Sequence, residues 1–305
     1  SAPCPRPTML RLAKTLLAVG LTLTGACLPV DGEGSNIERR LVVDVRPREP
    51  ENEVWARGLE ELAVAELAEL PSLEPLGTES LLAEAGGLAA LPTETRDPAS
   101  TAPPVLVVGE ELHGLDVQLY LLGELRRFAV GVDEPGGASS TRGFATQTAV
   151  AELRLRLYLM GTGELLAQSD YTAELTASGV ERHRPGEPIG DDATFTATLE
   201  GRALIEAAEG AVGRLVREIA RAPWNGFIED LTADDGVILP LGYRDGATPG
   251  DVFIVYEPGA ERGRRGNRVG SVRLEAPGSD ESYAPPLSGG GFKPGYLVIQ
   301  ELKSR

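Results

Sequence analysis

The sequence predicts an α+β protein: a three-layer-type α/β domain with a mixed sheet and a long β-meander, followed by a small antiparallel β-barrel module. Three observations carry this expectation. Residues 53–70 and 200–221 repeat apolar side chains at helical spacing. In 144–160, Leu153, Leu155, Leu157 and Leu159 alternate with Glu152, Arg154, Arg156 and Tyr158, the pattern of a strand with one buried and one solvated face. From Trp224 onward, short apolar runs are cut by turn pairs such as Asp-Gly and Pro-Gly.

Taken in order, LVVDV (41–45) reads as a buried strand and is followed by the loop RPREPEN. Residues 53–70 place Val54, Leu59, Leu62, Leu67 and Leu70 on one stripe with glutamates on the other faces, and Pro71 stops this helix. LEPL (73–76) is a second strand; TESLLAEAG is a helix with Thr78 at its N-cap, ended by Gly86 and Gly87. Residues 90–104 form a loop, and VLVVGEEL (105–112) is a further buried strand. Extended stretches over 115–132 and 144–160, the turn GTGE (161–164) and LLAQSDYTAELTA complete a β-meander. A polar loop over 178–192 leads to TFTATLE. The helix 200–221 aligns Leu204, Ala208, Ala211, Leu215 and Ile219, and Pro223 ends it. VILPLG, DVFIVY, VGSVRLE and YLVIQEL are the strands of the C-terminal module.

The N-terminal region has its own grammar. Arg11 and Lys14 lead a run, TLLAVGLTLTGA, too short to span a bilayer, and small residues close it. Met9 is the expected start, with residues 1–8 an upstream extension. The ending Thr24-Gly25-Ala26-Cys27 resembles a bacterial lipobox, with Thr24 where Leu is usual. The resemblance implies cleavage before Cys27 and acylation of its thiol, and Leu28 in the next position implies sorting to the outer membrane. The alternative is an ordinary secretory peptide in which Cys27 is incidental. The expected organisation is therefore extension and signal peptide over 1–26, lipid tether over 27–37, α/β domain over 38–223 and β-module over 224–305.

The chain carries 29 basic and 46 acidic residues, and Arg6, Arg11 and Lys14 precede the cut, so the processed chain is more acidic still. Binding to nucleic acid, which rests on neutralising phosphates, is disfavoured. With only Cys4 and Cys27 present, neither a disulfide nor a thiolate metal site is expected.

Several segments resemble known envelope families. ENEVWARGLEELAVAELAELPSLEPLGTESLL resembles the opening of periplasmic domains of the TolB N-terminal and curli-channel (CsgG) types, where a helix ends in a Leu-Pro-x-Leu step. LRLRLYLMGTGELLAQSDYTAEL resembles the hairpin of that group, with Thr162, Gly163 and Glu164 at its turn; the same broad family includes lipoprotein activators of penicillin-binding proteins. VILPLGYRDGATPGDVFIVYEPG resembles the C-terminal β-module of flagellar assembly protein T, with turns at Asp245, Gly246, Gly250 and Asp251. The resemblances cover residues 38–302.

Catalytic chemistry is sparse. His113 and His183 are the only histidines and sit in separate segments without metal-ligand spacing. No G-x-S-x-G elbow accompanies Ser139, Ser140 or Ser178, and neither 136–143 nor 263–270 fits a phosphate-binding loop. Asp191-Asp192 and Asp234-Asp235 stand in turn-rich loops, and Asp245 and Asp251 are expected to shape tight turns. No cofactor and no metal are expected.

The leading expectation is a non-enzymatic outer-membrane lipoprotein on the periplasmic side, engaging envelope or secreted proteins and open to homo-oligomerisation. The resemblance implies a role in assembling or secreting surface structures, or in regulating peptidoglycan synthesis. A second expectation is an oligomeric curli-type pore whose membrane hairpins are 117–160 and 166–200, although Arg126 and Arg127 interrupt the first. A third is a hydrolase using the loop carboxylates.

Overall fold

A computed structural model describes residues 35–87, 90–96, 101–109, 112, 115–133, 146–178, 183, 189, 193–259 and 265–302. The first sheet has the order β2-β1-β5-β6-β7, built from β1 (Arg39–Pro47), β2 (Leu73–Gly77), β5 (Leu119–Asp133), β6 (Thr146–Leu159) and β7 (Glu164–Ser178). β1 runs parallel to both β2 and β5, while β5, β6 and β7 form an antiparallel meander, so the sheet is mixed as expected. A bulge between Leu125 and Arg127 and another opposite Leu157–Tyr158 sharpen the twist of the meander.

Period-two alternation sends the two faces of this sheet into separate cores. Leu41, Val43, Leu121, Leu153, Leu155 and Leu157 face two helices, α1 (Glu53–Leu67) and α4 (Leu199–Arg221), where Leu59, Leu204, Ala208 and Leu215 are buried. The opposite face carries Val42, Tyr120, Leu122 and Tyr158 and is covered by Leu81 of α2 (Thr78–Glu84) together with Leu106, Val108 and Leu112. The result is three layers. Each fully buried leucine contributes about 1.5–3 kcal/mol relative to exposure.

Three local expectations are corrected. Among the described residues VLVVGEEL does not join the main sheet: β4 (Val105–Val107) pairs there only with β3 (Thr93–Thr95), inside what reads as a loop over 90–104. TFTATLE, the returning strand of hairpin 166–200 in the pore expectation, is helical, with α3 (Ala193–Ala197) running into α4. Thr198 explains the switch: it caps α4 by accepting from the Gly201 amide at 3.0 Å, while its own hydroxyl donates to the Phe195 carbonyl at 2.6 Å. The N-cap of α2 is Gly77, and Thr78 instead donates through its hydroxyl and amide to Glu60.

The C-terminal region forms two antiparallel sheets over a shared core that includes Ile37, Trp224, Leu239, Phe253, Val255 and Val298. One sheet has the order β13-β14-β10-β9, from β9 (Asp230–Leu231), β10 (Val237–Leu239), β13 (Ala276–Pro277) and β14 (Ser282–Ala284). The other has the order β15-β12-β11-β16-β8, from β8 (Asn225–Phe227), β11 (Val252–Pro258), β12 (Arg265–Arg273), β15 (Pro286–Gly289) and β16 (Leu297–Gln300). Among the described residues no ladder joins the two into a closed barrel. Pro277 lies in one edge strand, and Pro285 and Pro286 mark the passage to the other; proline has no N–H to extend a ladder there.

β16 is a shared wall. Val298 enters the C-terminal core, while Leu297 and Ile299 on its other side join the core beneath α4.

Candidate functional site

A cleft of about 640 Å³ opens beyond the carboxyl ends of the parallel strands β1 and β2, the place where open α/β sheets receive ligands. Asp44, Arg46, Glu60 and Thr78 line it. Asp44 is buried within the apolar run Leu41–Val45 of β1 and accepts from the Tyr120 hydroxyl at 2.5 Å and from Arg46 Nε at 2.8 Å. Arg46 also donates to the Pro92 carbonyl at 2.7 Å. Burial, reinforced by the Asp44 carboxylate, holds the Tyr120 phenol above its ordinary value, so Tyr120 serves as a donor. Glu60 Oε1 accepts from the Thr78 amide at 2.7 Å and from its hydroxyl at 2.9 Å, tying α1 to the start of α2. Burial raises the Glu60 carboxyl above its ordinary value, opposed by those donors and aided by Asp44. Asp44 thus pairs with Arg46 and Glu60 with Thr78 in the cleft, and no histidine, cysteine or lysine is among its lining residues.

A smaller cleft, about 250 Å³, lies where the two sheet systems meet, lined by Leu112, Met160, Gly161, Phe227 and Pro240 among others. Asn225 holds this junction. Its Oδ1 accepts from the Gly161 amide at 2.9 Å, and its Nδ2 donates to the Gln118 carbonyl at 2.9 Å. Gln118 in turn accepts from the Arg40 amide at 2.8 Å. Arg39, also buried, donates to the carbonyls of Ile219 at 2.8 Å and Ala222 at 2.7 Å, closing the C-terminus of α4; burial lowers its pKa to about 10.

The residues singled out in the sequence fall into separate places. Thr162, Gly163 and Glu164 form the β6–β7 turn, with Gly163 in the left-handed region at φ 64°. Thr162 Oγ1 accepts from the Glu164 amide at 3.2 Å, the Gly163 carbonyl accepts from Leu106 at 2.9 Å, and Glu164 pairs with Arg265 of β12. This turn is therefore a second tie between the two sheet systems. Asp245 Oδ2 accepts from the Gly242 amide at 2.6 Å, and Asp251 Oδ2 accepts from the Thr248 amide at 2.9 Å and hydroxyl at 3.0 Å. Gly246 and Gly250 adopt positive φ beside them.

Asp234 accepts from Thr232 at 2.6 Å and from Tyr283 at 2.6 Å on the surface; these donors hold its carboxyl below the ordinary value. Asp235 is in the left-handed region at φ 62°. His183 is not a free loop histidine: its ring lies edge-on to Trp55 at 5.2 Å and to Phe195 at 5.5 Å. Cys27, His113, Ser139, Ser140, Asp191 and Asp192 lie outside the described residues. Among the described residues no group of three or more acidic, histidine or cysteine side chains is placed to hold a metal.

Asp44, Glu60, Tyr120, Asn225 and Arg39 escaped the sequence reading. The usable signal was an ionisable residue inside an apolar strand, as in LVVDV, since such residues are seldom buried without a partner.

No family model matches the chain, and no curated protein matches it. Solved structures share part of its chain path. A hypothetical protein from Chlamydia trachomatis is 14% identical with a TM-score of 0.39, over 60% of this chain and 98% of that one. A lipoprotein from Neisseria meningitidis is 12% identical with a TM-score of 0.30, over 61% and 100%. The PelC dodecamer subunit from Paraburkholderia phytofirmans is 11% identical with a TM-score of 0.27, over 61% and 91%. These likenesses assign the chain to no family.

Proposed function

We propose that the chain is a lipid-anchored outer-membrane protein acting on the periplasmic side through contacts with envelope or secreted proteins. The observation that carries this reading is Cys27 itself, placed directly after a basic lead and a short apolar run ending in small residues. Its role in assembling or secreting surface structures rests on the resemblance of residues 38–302 to envelope domains. The pairing of Asp44 with Arg46 and Tyr120, and of Glu60 with Thr78, in the large cleft favours a scaffold over a catalyst.

The pore reading is disfavoured by the meander. Its second hairpin, 166–200, is replaced by β7 followed by α3 and α4. One face of the outer meander packs Ala149 and Val130 against Leu199 and Ala203 of α4. The other face carries ion pairs, Arg154 with Asp170 at 2.6 Å, Arg127 with Glu152 at 3.6 Å and Arg156 with Glu94. A membrane strand needs an apolar face toward lipid, and this one offers charge.

The test is fractionation of cells expressing wild-type protein or Cys27→Ala, with the mass of the N-terminal peptide. Acylated Cys27 and release of the Cys27→Ala protein from membranes are expected. A Cys27→Ala protein that remains membrane-bound refutes the reading.

A further inference from the structure

The first described residues are held by the C-terminal module. Asn36 Nδ2 donates to the Gly246 carbonyl at 2.7 Å, and the Glu38 amide donates to the Asp245 carbonyl at 2.6 Å. Ile37 between them is fully buried in the C-terminal core, and Ser35 is buried as well. A Cβ on Gly246 would lie 2.3 Å from the Asn36 carbonyl oxygen, so backbone meets backbone here. Ser35 and Asn36, the first described residues, therefore sit beside the turn Tyr243–Asp245.

The distance from Ser35 to an anchored Cys27 is short. Eight residue steps separate Cys27 from Ser35. Eight such steps can span at most roughly 26–29 Å. Confinement of this kind gives an effective concentration on the order of millimolar, enough to populate a contact too weak to form in free solution.

The turn presents an aromatic ring to that surface. Tyr243 is 60% exposed, more than any other large apolar side chain among the described residues. Tyrosine suits the membrane–water boundary because its ring is apolar and its hydroxyl stays hydrated. The surrounding charges provide no attraction for anionic lipid: Arg244 is paired with Asp280 at 3.1 Å, the Asp245 carboxylate is bonded to the Gly242 amide, and Glu38 is exposed.

We propose that the Tyr243–Asp245 turn is a lipid-docking surface, the Tyr243 ring inserting among the headgroups of the membrane that holds the Cys27 acyl chains. The proposal rests on the lipid-anchor reading above. It also orients the molecule. β1 begins at this turn and, over its nine residues, carries the large cleft and Val54 roughly 26–30 Å away. The docked protein holds that cleft toward the periplasm.

The test uses full-length acylated protein reconstituted into zwitterionic phospholipid vesicles with or without brominated acyl chains. Tyr243→Trp and Val54→Trp each add an indole at an exposed position, over the constant background of Trp55 and Trp224. Loss of indole emission in brominated vesicles is expected for Tyr243→Trp and absent for Val54→Trp, and adding anionic lipid leaves it unchanged. Equal quenching at both positions, or none at 243, overturns the proposal. The N-terminal peptide mass of the same sample separates the two readings. Acylated Cys27 without quenching at 243 overturns docking alone; unmodified Cys27 overturns the anchor as well.

Discussion

Replacing Asn225 by alanine tests whether one buried amide fastens the two sheet systems together. Asn225 is 2% exposed and bridges two backbone groups from separate parts of the meander. The Gln118 carbonyl keeps a second donor, the Met160 amide at 2.9 Å, so its loss is one net hydrogen bond, about 1 kcal/mol. The Gly161 amide loses its acceptor and is left unpaired against apolar neighbours, which costs about 1–3 kcal/mol. The expected destabilisation is therefore about 2–4 kcal/mol. Asn225→Asp should be no better, since it restores the acceptor for Gly161 and sets a second oxygen against the Gln118 carbonyl. Urea unfolding followed by the emission of Trp224, buried next door and edge-on to Phe253 at 5.7 Å, reads the change directly. A loss below about 0.5 kcal/mol in the alanine variant, within the range of an ordinary surface substitution, would refute the reasoning and leave the fastening to apolar packing by Leu297 and Phe227 and to the Glu164–Arg265 pair.

Two further outcomes follow from geometry already described. Burial holds the Glu60 carboxyl above its ordinary 4.5. The stability it supplies is complete below that value and is lost as pH rises through the folded value. Glu60→Gln keeps an oxygen for Thr78, so it should match or exceed wild type near pH 7 and show a flatter stability profile between about pH 4 and pH 7; a wild type that gains on the variant over that range contradicts the assignment. Alanine at two glycines of α4 should act with opposite signs. At Gly213 a Cβ meets nothing within 4 Å, and the helix should gain about 0.5–1 kcal/mol. At Gly201 it would lie 2.1 Å from the Phe195 carbonyl oxygen, and thermal denaturation should show a loss; a gain at both sites would mean that α3 shifts freely.

Much of the first sheet was legible because periodicity was strong and local. Leu41–Val45, the helix beginning at Glu53, the meander and the helix ending at Arg221 all sit where apolar spacing put them. The failures share a cause. Val105–Val107 carries the composition of a central strand, yet tertiary packing uses Leu106 to cover a sheet face rather than extend a ladder. In TFTATLE, which the pore hairpin 166–200 needs as a strand, the cap at Thr198, a non-repeating signal, decides for helix. Short strands such as Asp230–Leu231 leave no period to detect. At the site level, the turn residues Gly163, Gly246 and Gly250 were readable from turn chemistry. Asp44 with Tyr120, and Asn225 with Gly161, were not: each pair is far apart in sequence, and only the fold brings the partners together.

The shared strand β16 carries a kinetic consequence. Its residues Leu297, Val298 and Ile299 complete both cores, and Ile37 at the other end of the chain closes the C-terminal one. Neither hydrophobic interior can be sealed until the final strand is present, and contacts spanning most of the sequence make such closure slow. A polypeptide wired in this way stays loosely structured while it is being made. Under the lipid-anchor reading proposed above, such late sealing suits the export of a chain that is still unfolded.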